Sequence, residues 1–133
     1  MKTKLVLLVL VGIFVFGLVT AYAHHSVTAT YDAKKEVKLQ GKLVLFLFRN
    51  PHVFVHIDVP DESGKPQRWT IEWGGAAQLS SQGINRDTFK TGDELIITGD
   101  PSRTAGERRA KMNTLHRVKD GLGWGTRPGE IVD

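Results

Sequence analysis

The stretch from Val37 to Phe48 changes its patterning halfway along, and this constrains the fold more than any other feature of the 133-residue chain. Its first part alternates, with Val37 and Leu39 set against Lys38 and Gln40, as a strand buried on one face does. Its second part, Leu43-Val44-Leu45-Phe46-Leu47-Phe48, is apolar on both faces, and Gly41 sits between the two. A strand that passes from one-sided to two-sided burial across a glycine suits a small closed barrel, where the first strand bends and serves two sheets.

The segments that follow extend this pattern. Arg49-Asn50-Pro51 breaks the strand, and His52 to Val59 restores alternation, with Val53, Val55, Ile57 and Val59 on the core face and His52, Phe54, His56 and Asp58 opposite. The turn signal Pro60-Asp61-Glu62-Ser63-Gly64-Lys65-Pro66 joins it to Gln67–Trp73, where Trp69, Ile71 and Trp73 share a face. Gly74-Gly75 then releases the chain into a short helix over Ala76–Gln82, with Ala76 and Leu79 facing the barrel and Gly83 as terminator. After the turn Lys90-Thr91-Gly92-Asp93 comes a strand over Glu94–Gly99. A last strand is expected from about Arg108 to Lys119, with Leu115 and Val118 as its apolar positions. Three strands, one short helix and two more strands make the element order of the OB-fold, so the expectation is a mainly β, five-stranded OB-like barrel over residues 24–119. From Asp120 to residue 133 the glycine-rich tail with its lone Trp124 reads as irregular.

Ahead of the barrel, Lys2 and Lys4 precede an apolar run from Leu5 to Val19 and the small-residue junction Ala21-Tyr22-Ala23. This is the pattern of a secretory signal peptide over residues 1–23. A retained anchor is the alternative, since Leu5 to Ala23 approaches the ~18–20 apolar residues that span a bilayer. On either reading the remainder lies outside the inner membrane, periplasmic or secreted, and only an uncleaved signal would hold it to that membrane. Loss of Lys2 and Lys4 lowers the basic count from 18 to 16 against 14 acids, leaving a net charge of +2. There is no cysteine, so the remaining 110 residues form one domain stabilised by burial without disulfides. Charge is concentrated between Arg103 and Lys119, where Arg103, Arg108, Arg109, Lys111, Arg117 and Lys119 face one acid, Glu107. Such a stripe attracts anionic partners or keeps an exposed strand soluble.

All five histidines follow the signal: His24, His25, His52, His56 and His116. Cleavage after Ala23 would make His24 the N-terminus, offering a metal both its α-amine and its ring. His52 and His56 share one strand face, but four residues at about 3.3 Å each hold their backbones roughly 13 Å apart. With metal–nitrogen bonds of about 2 Å, that pair does not close on one ion. A metal site therefore needs His24 and His25 from the N-terminus with either His52 or His56 from the hairpin face, and nitrogen-rich ligation of this kind ranks copper first. A disordered start to the mature chain would place the same two histidines there. Asn50 suits the turn before Pro51, and His52 either bonds to backbone or binds a ligand. Glu72, sharing the polar face of its strand with Arg68 and Thr70, is a cross-strand partner for His52 or for Arg68. Asn50, Phe54, His56, Arg68 and Glu72 thus line the candidate ligand face of the hairpin. One phenylalanine is little support for nucleic acid, and export argues against such a partner.

Together, His24-His25-Ser26, Tyr31-Asp32, Gly41, Asn50-Pro51-His52 with the strand ending Asp58-Val59, Trp69 with Glu72, Leu79, Gly83 and Gly92-Asp93 resemble a family of small exported bacterial proteins classed as a domain of unknown function. The resemblance covers nearly all of the chain from His24 to about Gly99. It implies a single secreted or periplasmic domain and brings no activity with it. The chain departs from the pattern in having His56 in place of a larger aromatic, and after Arg103 the match is poorer.

No helical HExxH pattern, carboxylate cluster or nucleophile–base pair stands out, so the reading is of a non-enzymatic exported binding module that takes copper or another transition metal through His24, His25 and His52. The alternative is a structural or interaction module that meets envelope polymers or a partner protein through the barrel face and the basic last strand.

Overall fold

The computed structural model describes Met1 and residues 4–12 and 27–125. The chain divides into two compact units, Met1–Thr30 and Tyr31–Asp133. In the first, residues 4–12 and 27–30 are helical. No helix among the described residues is long and apolar enough to cross a membrane. The proposed cleavage junction and His24 and His25 lie outside the described residues.

The second unit is a barrel. Strands β1 (Val37–Leu47), β2 (Phe54–Pro60) and β3 (Pro66–Glu72) are followed by helix α1 (Ala76–Ser81), then β4 (Glu94–Pro101) and β5 (Arg109–Arg117). The strand order is β3-β2-β1-β4-β5, and β3 pairs in parallel with β5 to close the ring. Apart from that closure, the pairings within the ring are antiparallel. Element order and closure are those of an OB-like barrel. A sixth strand, β6 (Gly123–Trp124), adds to the outer side of β5, with Leu115 opposite Trp124. The tail is therefore not irregular throughout. Trp124 meets the Trp73 ring edge-on at 5.0 Å, and its indole N–H donates to Gln82 Oε1 at 2.7 Å.

The two halves of β1 do separate tasks. Val37–Lys42 pairs with β4, and Lys42–Leu47 pairs with β2. The exchange occurs at Lys42, next to Gly41, where a Cβ would run into the carbonyl oxygen of Asp58 on β2. A register shift between Leu43 and Leu45 then bends the strand further, leaving Val44 as the extra residue of a bulge. The side chains turned inward by alternation form one core that includes Leu39, Leu43, Val53, Val55, Ile57, Ile71, Leu95, Ile97 and Leu115, and Leu79 of α1 closes one end. Trp73 and Phe89 belong to the same core, with ring centres 6.2 Å apart.

At β5 the expected apolar positions need correction. Leu115 is buried, but Val118 is 44% exposed. Residues 115 and 118 have opposite parity, so a strand cannot turn both inward. The inward-facing position is Arg117, largely buried against the carboxylate of Asp93 at 3.3 Å. Burial of Asp93 favours its neutral form, but Lys119, the Lys90 amide and Arg117 together hold its pKa below the ordinary value.

If the close approach at Gly41 shapes β1, Gly41→Ala should destabilise the domain by about 1–3 kcal/mol, as over-packing of a filled site does. Thermal unfolding followed by circular dichroism would register this as a lowered Tm. Replacing the adjacent exposed Lys42 by Ala should change stability by no more than about 0.5 kcal/mol.

Candidate functional site

The residues before β2 and at the end of β3 come together because two backbone bonds carry the hairpin beyond its regular strands. Val53 N–H donates to Gly74 C=O at 2.9 Å, and Trp73 N–H donates to Val53 C=O at 2.8 Å. This brings Arg49-Asn50-Pro51-His52, whose Asn50–Pro51 peptide is cis, alongside Glu72 and the start of α1. Helix α1 receives no capping hydrogen bond from a side chain at its own N-cap, Gly75. Asn50 supplies one from across the barrel end: its Oδ1 accepts from Ala77 N–H at 3.2 Å, and Arg49 C=O accepts from Ala76 N–H at 3.3 Å. Gly75 is needed for this fit, since a Cβ there would lie 2.7 Å from Pro51 O and 3.0 Å from Asn50 Oδ1. Asn50 is thus held to the backbone, which accounts for its place beside Pro51 without a ligand.

Glu72 is the centre of the site. Its side chain is 14% exposed, and three side chains from distant parts of the sequence meet its two oxygens. His52 Nδ1 lies 2.8 Å from Oε1. Arg109 Nη2 donates to Oε2 at 2.8 Å, and the Tyr31 hydroxyl makes a short hydrogen bond to the same oxygen. Burial alone would push the Glu72 pKa up, but the Tyr31 and Arg109 hydrogen bonds and the nearby His52 and Arg109 charges hold it below the ordinary value. Tyr31 is raised above the ordinary tyrosine value, first by burial and then by its bond to Glu72, so the phenol keeps its proton. The Arg109 guanidinium also lies 5.6 Å from the centre of the Tyr31 ring.

An ionised carboxylate only accepts hydrogen bonds, so the His52 ring nitrogen facing it must carry a proton. When the ring is neutral, Nε2 therefore keeps its lone pair, on a side chain that is 43% exposed. Of the two partners considered for Glu72, the structure selects His52. Arg68 instead stands directly opposite Asp58 in the β2–β3 register and pairs with it at 2.5 Å, outside the cavities that hold the other candidates.

Phe54 and His56 occupy the same outer face. His56 Nδ1 lies 3.1 Å from Thr70 Oγ1. Burial first, then the charge of Arg68, lowers the His56 pKa and favours the neutral ring. The Arg49 guanidinium is 5.5 Å from the centre of the Phe54 ring. Arg49 and Phe54 together line two adjoining cavities, about 410 Å³ towards His52 and Glu72 and about 530 Å³ towards Arg108 and Arg109. Among the described residues, no group of three or more His, Cys, Asp or Glu is placed to hold a metal ion. A metal at His52 would therefore depend on His24 and His25, outside the described residues.

The model of a family of unknown function (DUF6152) matches residues 13–111, and the chain belongs to this family. No curated protein matches it. Two crystal structures of the mitochondrial single-stranded DNA binding protein Rim1 from S. cerevisiae are similar at a TM-score of 0.49. They are 13% and 14% identical, each match covering 65% of this chain and 96% or 97% of theirs.

Glu72→Gln would leave Arg109 without its counter-charge. A loss of about 3 kcal/mol is expected near pH 7, the low end for breaking a buried pair because Arg109 is 34% exposed. With a folded pKa below the ordinary 4.5, Glu72 contributes stability that is complete above that value and lost as pH falls through the folded pKa. The gap between wild type and variant in urea unfolding should therefore narrow from about pH 5 downwards.

Proposed function

We propose that this DUF6152 chain is an exported, non-catalytic binding module whose barrel presents His52 as one ligand of a divalent transition metal, with His24 and His25 at the mature N-terminus as the others. The observation that carries this reading is the 2.8 Å contact between His52 Nδ1 and Glu72, which leaves Nε2 as the outward lone pair. Metal-binding histidines are commonly oriented in this way, by a carboxylate that accepts the opposite ring N–H. Burial and two further donors fix that carboxylate, so the ring is positioned before a metal arrives.

Chain length supports the same reading. Tyr31 follows His24 by seven residue steps, a span of at most about 25 Å. Tyr31 is held on the carboxylate that also holds His52, so the N-terminal histidines are tethered to a point beside the His52 ring. An α-amine, two or three imidazoles and no thiolate rank copper(II) ahead of nickel and zinc.

Titration of Cu(II) into protein beginning at His24, alongside His52→Ala and a form lacking His24, tests the proposal. Both altered proteins should bind at least tenfold more weakly than wild type, and the visible absorption of a nitrogen-ligated copper should shift with each change. Equal, weak binding by all three would overturn it.

A further inference from the structure

The outer face of the barrel next to the His52 cavity carries a second arrangement, built by register alone. In one row, Leu45 on β1 stands opposite His56 on β2, His56 opposite Thr70 on β3, and Thr70 opposite Arg109 on β5. In the next row, Leu47 stands opposite Phe54 and Phe54 opposite Glu72. Residues directly opposite one another in a sheet share a face. The face is therefore apolar at its β1 edge and cationic at its β5 edge. Between them lies the cavity of about 530 Å³, within the range that holds a small organic ligand.

Two features mark this face as a binding surface. Leu45 is 45% exposed, and beyond residue 12 it and Val118 are the described large hydrophobic residues with that degree of exposure. Arg108 at the other edge, and Arg49 in the loop after β1 with its guanidinium 5.5 Å from the Phe54 ring, line the cavity with no carboxylate partner among the described residues. Glu107, the acid on the cavity wall, is turned to Ser102 by a hydrogen bond at 2.5 Å. Four strands at about 4.8 Å spacing make the face about 14 Å wide, the length of a medium acyl chain.

We propose that this groove binds a single-tailed amphipathic anion, with Arg108 at the β5 edge receiving a carboxylate or phosphate head, Leu47 and Phe54 taking the apolar body, and Arg49 adding positive charge along the groove from its place over Phe54. A volume of about 530 Å³ matches one small molecule, which favours a monomeric ligand over the surface of a bilayer. The groove and the His52 cavity share the wall formed by Arg49 and Phe54, yet the anion site requires neither a metal nor the N-terminal histidines. It gives chemical content to the alternative reading, in which the barrel face and the basic last strand make the contact.

The test is a titration of metal-free protein, held in EDTA, with decanoate, monitored by amide chemical shifts. Decyl maltoside, decyltrimethylammonium, oligothymidylate and phosphatidylglycerol vesicles serve as competing probes. Decanoate should saturate, with shifts concentrated at residues 45–56 and 108–111, and the neutral and cationic decyl compounds should bind at least tenfold more weakly. Arg49→Gln with Arg108→Gln should weaken decanoate at least tenfold while leaving the remaining spectrum in place, since both side chains are exposed. Equal binding of all three decyl compounds, shifts centred elsewhere, or tighter binding of the oligonucleotide or the vesicles would each overturn the proposal. Because no metal is present, loss of copper binding and loss of decanoate binding are read separately.

Discussion

The site depends on keeping one carboxylate charged while it is largely withdrawn from water. Glu72 would tend towards the neutral acid on burial alone. Three donors prevent this, and they come from three separate stretches: Tyr31 ahead of β1, His52 ahead of β2 and Arg109 in β5. One ionised group thus joins the chain ahead of the barrel, the loop that enters the hairpin and the strand that closes the ring. The parallel pairing of β3 with β5 spans three residue pairs, and the Glu72–Arg109 bond reinforces it from the outer side.

Much of the barrel is legible in the sequence, because alternation and turn chemistry act locally. The division of β1 between two neighbours, the valine face of β2, the tryptophan face of β3 and the burial of Leu79 all follow from spacing. The two-sided burial expected over Leu43–Phe48 does not hold, because Leu45 turns to the outer face and is 45% exposed. The Glu72 cluster was legible only in part. His52 could be named as a partner because it lies two residues before the neighbouring strand. Tyr31 and Arg109 could not, because they are 41 and 37 residues from Glu72 and meet it only once the ring has closed. The basic stripe gave no sign that Arg109 turns to a buried carboxylate while Arg108, one residue earlier, lines the groove. Tyr31 was visible as part of a family resemblance, which assigns its hydroxyl no partner.

Asn50 and Arg68 carry a related lesson. Both were reasonable ligand candidates by residue type, yet each is engaged in holding the fold. Asn50 caps a helix that begins 26 residues later, and Arg68 neutralises the acid directly opposite it. Residue type identifies groups able to bind, whereas register and loop closure determine which of them are already occupied. Among the hairpin candidates, this leaves the His52 ring edge and the face around Phe54 and His56 turned outward. The two areas share a wall, so the barrel can offer a lone pair on one side of Arg49 and an amphipathic groove on the other.

The central claim is that Glu72 fixes the His52 ring with its proton on Nδ1 and its lone pair on Nε2. Long-range proton–nitrogen correlation of the histidine side chains in metal-free protein, recorded near pH 8, measures this tautomer directly. The expected His52 pattern has Nδ1 protonated and Nε2 bare. A ring protonated at Nε2, or one averaging between the two forms, would contradict it.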